Sequence, residues 1–188
     1  ELHRVHRLIA KKINSIDNLE SVIDFGYYTG GIFNAGIKKD LKKYCIEPSR
    51  HHALWIKEKK VAELIPDLPQ KCVPSLDQYL NRLSQVVIDH DGISIAVVSF
   101  IFQLFEEQEC IKMLRLITRF ANKILICDDI LNIESKNSLL RLTDKGERLN
   151  LCHNYQHLLS QAGWILDESL FFYGVRYANG IIIASNNA

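Results

Sequence analysis

Two short stretches carry the residue types that could do chemistry. The first, Val22-Ile23-Asp24-Phe25-Gly26-Tyr27-Tyr28-Thr29-Gly30, ends an apolar run on a carboxylate and continues into a turn bearing two glycines. The second, Tyr44-Cys45-Ile46-Glu47-Pro48-Ser49, closes another apolar run on an acid, about 20 residues after that turn begins. Glycine lets the backbone approach a ligand closely and take a positive φ. An acid at the end of a second strand suits paired hydrogen bonds to the two hydroxyls of a ribose. Together these features describe a nucleoside site. A dinucleotide would instead need its pyrophosphate seated on a helix N-terminus behind Gly-x-Gly-x-x-Gly. Asp24, at the entrance of the turn, would repel phosphate and welcome an ammonium group.

The surrounding pattern must place these two acids side by side. Leu2, Val5, Leu8, Ile9 and Ile13 follow helical spacing, which predicts an opening helix over 2–14. Residues 21–25 and 44–46 read as short buried strands. Ser49 would cap a helix reaching about residue 64, residues 71–73 a brief third strand, and Ser75 the cap of a helix with Leu76, Leu80, Leu83 and Val87 on one face. Residues 93–100 are continuously apolar, as a strand covered on both faces should be. A helix over 106–120 and a strand over 123–127, ending at Asp128-Asp129, come next. Residues 131–150 are polar and read as irregular. A helix over 151–162 stops at Gly163, and two strand patterns, 164–173 and 179–185, should pair antiparallel. Alternating strands and helices predict an α/β fold with a doubly wound, mostly parallel sheet and a closing antiparallel hairpin. In such sheets ligands lie beyond the carboxyl ends of the strands, near the point where strand order reverses. The residues so selected are 24–30, Glu47, Ser75, 99–103 and Asp128-Asp129.

This arrangement resembles the class I S-adenosylmethionine-dependent methyltransferases, whose first motif is an apolar run, an acid, then x-Gly-x-Gly-x-Gly. The likeness extends over nearly the whole chain as one domain, 1–188. The 44–49 stretch resembles the second motif, residues 95–105 the fourth strand and its loop, residues 124–129 the fifth strand, and His157-Leu158-Leu159-Ser160-Gln161-Ala162-Gly163-Trp164 the helix end before the final hairpin. The resemblance implies a seven-stranded sheet and S-adenosylmethionine as cofactor. It places Asp24, Gly26, Tyr27, Tyr28, Thr29 and Gly30 at the methionine and ribose end and Glu47, with Pro48 beside it, on the ribose hydroxyls. Ser75 and Leu76 would then flank adenine, and Ser99 would lie near the sulfur. Gln103, Asp128 and His153 are candidates to contact the acceptor, which the resemblance makes an oxygen or nitrogen of a small molecule. The chain departs from the motif at Tyr28, which stands where the middle glycine belongs. A ring that fills the pocket would leave a catalytically inactive, methyltransferase-like interaction domain or partner subunit. One that swings outward would stack on substrate or adenine and keep an active enzyme.

The remaining features narrow the class. The chain has 188 residues, 47% hydrophobic and 24% charged, which excludes disordered, collagen-like and coiled-coil proteins. With 23 basic against 22 acidic residues, the charge of +1 argues against a dedicated nucleic-acid or membrane-surface protein. Basic residues do gather between Lys38 and Lys60, but lysines alternating with apolar positions make a solvated face, and the Asn-Pro-Pro-Tyr type sequence of amino-methylating nucleic-acid enzymes is missing after the fourth strand. The longest apolar run, 93–105, is too short to span a bilayer. No leader pattern is visible, and five scattered cysteines without a Cys-x-x-Cys pair fit reduced thiols in the cytoplasm. His153 and His157 have the spacing of two metal ligands on a helix but lack a third, so no metal is expected. Asp128-Asp129 could hold Mg²⁺ as in catechol-type members, which need a further acid where this chain has Ser99-Phe100. The short N-terminal region is compatible with a protein partner or a larger parent chain.

Overall fold

In a computed structural model, the structure describes residues 2–26, 31–47, 50–59, 62–64, 84, 92–129, 139–142, 149–173 and 178–186. The expected third strand at 71–73 and the helix after Ser75 fall outside them. The chain divides into two compact units, Glu1–Val97 and Val98–Ala188.

In the first unit, helix α1 (Leu2–Asn14) turns Val5, Ile9, Ala10 and Ile13 inward and leaves Arg4, Arg7 and Lys11 in solvent. Lys11 and Lys12 lie in its last turn, where positive charge complements the helix dipole. Asn14 ties off the end: its side chain donates to the Gly36 carbonyl at 2.8 Å and accepts from the Lys38 amide at 3.1 Å. Strand β1 (Leu19–Phe25) follows, buried from Ser21 to Phe25 as a strand covered on both faces requires. A short helix α2 (Gly31–Asn34) leads on to strand β2 (Lys42–Ile46), which pairs parallel with β1, Asp24 opposite Cys45 and Phe25 opposite Ile46. Helix α3 (Arg50–Lys59) then connects to β3 (Glu63–Leu64), parallel to β2. The helix predicted to reach residue 64 therefore stops earlier, because pairing with β2 claims residues 63–64 over their helical periodicity.

Strand β4 (Ile93–Ser99) begins in the first unit and ends in the second. A 3₁₀ turn (Phe102–Leu104) and helix α4 (Glu107–Ile117) come next. Helix α4 starts with a capping box in which the Glu106 side chain accepts from the third-residue amide and the Glu109 carboxylate accepts from the Glu106 amide. Strand β5 (Lys123–Asp129) carries the two aspartates within it, so it runs past the predicted end at 127. Residues read as irregular supply an antiparallel pair instead, β6 (Leu139–Leu142) with β7 (Leu149–Cys152). Helix α5 (Tyr155–Ala162) accordingly starts later than the predicted 151; Asn154 caps it by accepting from the His157 amide, and Gly163 ends it in the left-handed region at φ 84. Strands β8 (Trp164–Tyr173) and β9 (Ala178–Asn186) pair antiparallel with each other, and β9 pairs antiparallel with β5. The second core joins Met113, Leu114 and Ile117 of α4, Leu158 and Leu159 of α5, and the buried run 124–127. Helix α4 is tied to β8 by Trp164 Nε1 donating to the Leu114 carbonyl at 3.1 Å and to α5 by Arg115 donating to the Gln161 carbonyl at 2.8 Å.

The strands of the seven-stranded sheet follow the order β3-β2-β1-β4-β5-β9-β8. Sequence order runs outward from β1 to β3 and then resumes on the other side of β1, so the reversal falls beside β1. This is the α/β, mostly parallel sheet with a C-terminal antiparallel hairpin. Among the described residues no helix is long and apolar enough to cross a membrane.

Candidate functional site

The parallel register of β1 and β2 brings the two acids together in the first unit. Asp24 faces Cys45 across the pair, and Glu47, two residues beyond Cys45, is near enough for its charge to act on Asp24. Gly26 takes φ 70 and donates its amide to the Ile46 carbonyl at 2.8 Å, turning the chain sharply where β1 ends. Both acids are buried, Asp24 at 3% exposure and Glu47 at 4%. Burial pushes the Asp24 carboxyl well above the ordinary carboxylate range, and the nearby Glu47 pushes it the same way. The Cys45 thiol feels the same surroundings: burial, then Asp24, then Glu47, raise it to about 12, so it stays a neutral, unreactive thiol. Two carboxyls held dry at neighbouring strand tips suit a partner that supplies positive charge or hydroxyl donors.

Helix α1 also reaches the start of α2. A side chain at Gly31 would collide with the His6 ring, whose Nδ1 and Cε1 stand where its Cβ would have to go. Burial and His3 lower the His6 pKa, which favours a neutral ring there. The sequence reading missed this contact; no spacing rule links position 6 to position 31. Tyr27, Tyr28, Thr29, Gly30, Pro48, Ser75 and Leu76, all predicted site residues, lie outside the described residues.

The second unit gathers the remaining candidates around the turn after β4. Phe100 adopts φ 56, a left-handed conformation that costs a non-glycine residue on the order of 1–3 kcal/mol. Its amide donates to the Cys127 carbonyl at 2.8 Å. Beside it, the Ser99 Oγ is buried and has no hydrogen-bond partner among the described residues. Gln103 donates its backbone amide to Asp128 Oδ2 at 3.2 Å and its side-chain Nε2 to the Phe100 carbonyl at 3.1 Å. Asp128 itself is fully buried at the end of β5. His153 is equally buried, and its Nε2 donates to the Phe102 carbonyl at 2.9 Å. That bond places the proton on Nε2, so the Cys110 Sγ at 3.6 Å faces an N–H and the two do not form a nucleophile–base pair. Burial lowers the His153 pKa despite the Phe102 and Phe105 carbonyls, and burial raises the Cys110 thiol with Asp128 adding to it. His153 and His157 do not share a helical face, because α5 begins at Tyr155; His157 meets Glu107 at 3.4 Å instead. Among the described residues no three metal-ligating side chains converge.

No protein-family profile matches the chain, and no curated protein matches its sequence. Solved structures match throughout its length. A Leishmania major S-adenosylmethionine-dependent methyltransferase superposes with a TM-score of 0.68 at 13% identity, over 98% of this chain and 73% of that one. A Burkholderia thailandensis 1,6-didemethyltoxoflavin N1-methyltransferase, solved with bound 1,6-didemethyltoxoflavin and S-adenosylhomocysteine, gives 0.65 at 11% over 99% and 78%. The chain has the class I methyltransferase fold. The same methyltransferase fold also matches a [4+2]-cyclase with a TM-score of 0.64 at 13% identity over 98% of this chain and 81% of that one, so architecture alone does not fix the reaction.

Proposed function

We propose that this chain transfers a methyl group from S-adenosylmethionine to an oxygen or nitrogen of a small-molecule acceptor. The observation that carries the reading is the buried Asp24 and Glu47 pair at adjacent parallel strand tips beside the point where strand order reverses. Asp24, behind the Gly26 turn, would hold the charged methionine end, and Glu47 the ribose hydroxyls. Thr29, Gly30 and the tyrosines at 27 and 28 would complete that wall, with Pro48, Ser75 and Leu76 toward adenine and Ser99 toward the sulfur. When bound, the cofactor supplies an already activated methyl group on a positively charged sulfur. The protein's own share is therefore to orient the acceptor in line and keep water out. A general base is needed only where the acceptor must lose a proton. Structures with this fold solved with S-adenosylmethionine or its demethylated product support the cofactor assignment. The buried thiols Cys45 and Cys110, held in no disulfide, support a reducing compartment such as the cytoplasm.

Calorimetric titration with S-adenosylmethionine, S-adenosylhomocysteine and NAD tests the proposal. The expected result is micromolar binding of S-adenosylhomocysteine, weakened roughly tenfold or more by Glu47→Ala, and no binding of NAD. Binding of none of the three would leave the second reading, a catalytically inactive interaction domain that kept the fold, which the tyrosine in place of the motif's middle glycine at position 28 favours.

A further inference from the structure

Gly31 opens helix α2 with no backbone reason to be glycine. The positive-φ glycines among the described residues are Gly26, Gly36 and Gly163, so Gly31 keeps a helical conformation open to any residue. Alanine would favour the helix more. What demands glycine there is space. The His6 ring of α1 occupies the place of the missing side chain, its Nδ1 and Cε1 standing where a Cβ would be. That contact belongs to a wider clasp. Helix α1 packs on α2, with Val5, Ile9 and Ile13 buried on the first and Ile32 and Phe33 on the second. Asn14, about two turns after His6, holds the chain just beyond α2. Its side chain donates to the Gly36 carbonyl at 2.8 Å and accepts from the Lys38 amide at 3.1 Å. His6 thus grips the start of α2, and Asn14 the chain that leaves it. Burial and His3 favour the neutral imidazole, the form suited to lying on bare backbone.

The place of this contact in the chain gives it a further role. Residues 27–30, proposed to bind the cofactor, run between Gly26 and Gly31. Gly26 is fixed to β2, its amide donating to the Ile46 carbonyl at 2.8 Å. The sheet therefore sets where the interval begins, and α1 sets where it ends. Four residues reach so short a way that a shift of either end is passed to all of them. We propose that His6 is a positioning residue for S-adenosylmethionine: its ring, seated on Gly31, fixes the far end of the cofactor-binding segment as Gly26 fixes the near end. The inference rests on the methyl-transfer reading for the identity of that ligand. His6, Asn14, Asp24, Gly26, Gly31 and Glu47 all belong to the first unit. His6 acts through Gly31 and touches no reacting atom.

The test combines S-adenosylhomocysteine calorimetry with thermal melting on the full chain. His6→Ala is expected to weaken binding roughly three- to tenfold, because the segment that meets the ligand loses one fixed end. Gly31→Ala drives the ring from its seat, so it should weaken binding to a similar degree and lower the melting temperature. In the His6→Ala background the added methyl meets no ring. Gly31→Ala should there raise the melting temperature and cost no further affinity, the non-additivity expected of groups in direct contact. His6→Phe keeps a flat ring and should bind within about threefold of the wild type. Asn14→Ala separates positioning from stability: it should lower the melting temperature by freeing the end of α1 while leaving affinity within about twofold. Should Gly31→Ala fail to fold, His6→Ala and His6→Phe still decide the matter. If the wild type binds and His6→Ala binds equally well, or if Asn14→Ala weakens binding as much as His6→Ala, the contact serves stability alone and the inference is wrong. If the wild type binds no S-adenosylhomocysteine, the methyl-transfer reading falls first and takes this inference with it.

Discussion

On the proposed function, Asp24 is the residue on which proton and ligand compete. Its folded pKa lies well above the ordinary carboxylate range because it is buried and faces Glu47. The native state therefore keeps a proton that the unfolded chain has already released, and this group's contribution to stability falls as pH rises from the ordinary range through the raised one. Asp24→Asn should flatten that part of the stability–pH curve and make the unliganded protein more stable at about pH 8, as chemical denaturation at several pH values would show. A cationic ligand reverses the preference by stabilising the carboxylate. Binding of S-adenosylmethionine should consequently release protons at pH values below the raised pKa, and its affinity should increase with pH. Calorimetry in two buffers of different ionisation enthalpy reads the proton count directly; identical heats in both would contradict a protonated Asp24.

At the scale of elements, helix α5 is specified at both ends by local chemistry. Asn154 caps its start at 3.1 Å, and Gly163 ends it at φ 84 with open space around the position a Cβ would take, so a substitution there meets only backbone strain. Asn154→Ala and Gly163→Ala should each cost about 1 kcal/mol in urea unfolding, and their effects should add. The stop at Gly163 was legible in the sequence because glycine after an apolar helical run has one common use. The start was not, because residues 151–152 continue the same polar and apolar pattern while they actually finish strand β7. Strands β1, β2, β4 and β5 were legible for a similar reason: apolar runs of strand length bounded by Asp24, Glu47, Ser99 and the Asp128-Asp129 pair. What composition could not disclose is contact across the chain. Neither the His6 ring against Gly31 nor the Gln103 amide on Asp128 has a signature in spacing, and a left-handed phenylalanine breaks the rule that reserves that region for glycine.

For the molecule as a whole, strand order supplies what no single residue does. Asp24 or Glu47 alone would read as a strand-end carboxylate meeting solvent; the parallel register of β1 and β2 makes them a buried pair beside the reversal in strand order, the place where sheets of this kind bind ligands. The fold is shared with methyltransferases at 11–15% identity and with a cyclase at 13%, so what distinguishes this chain must come from residues such as Tyr28, Ser99 and Gln103 rather than from its architecture. The most direct measurement is a crystal structure of the chain grown with S-adenosylhomocysteine. The account predicts both ribose hydroxyls within hydrogen-bond reach of the Glu47 carboxylate, about 2.7 Å, with the Tyr28 ring turned away from the nucleoside. A Tyr28 ring lying in that position, with no nucleoside bound, would contradict it.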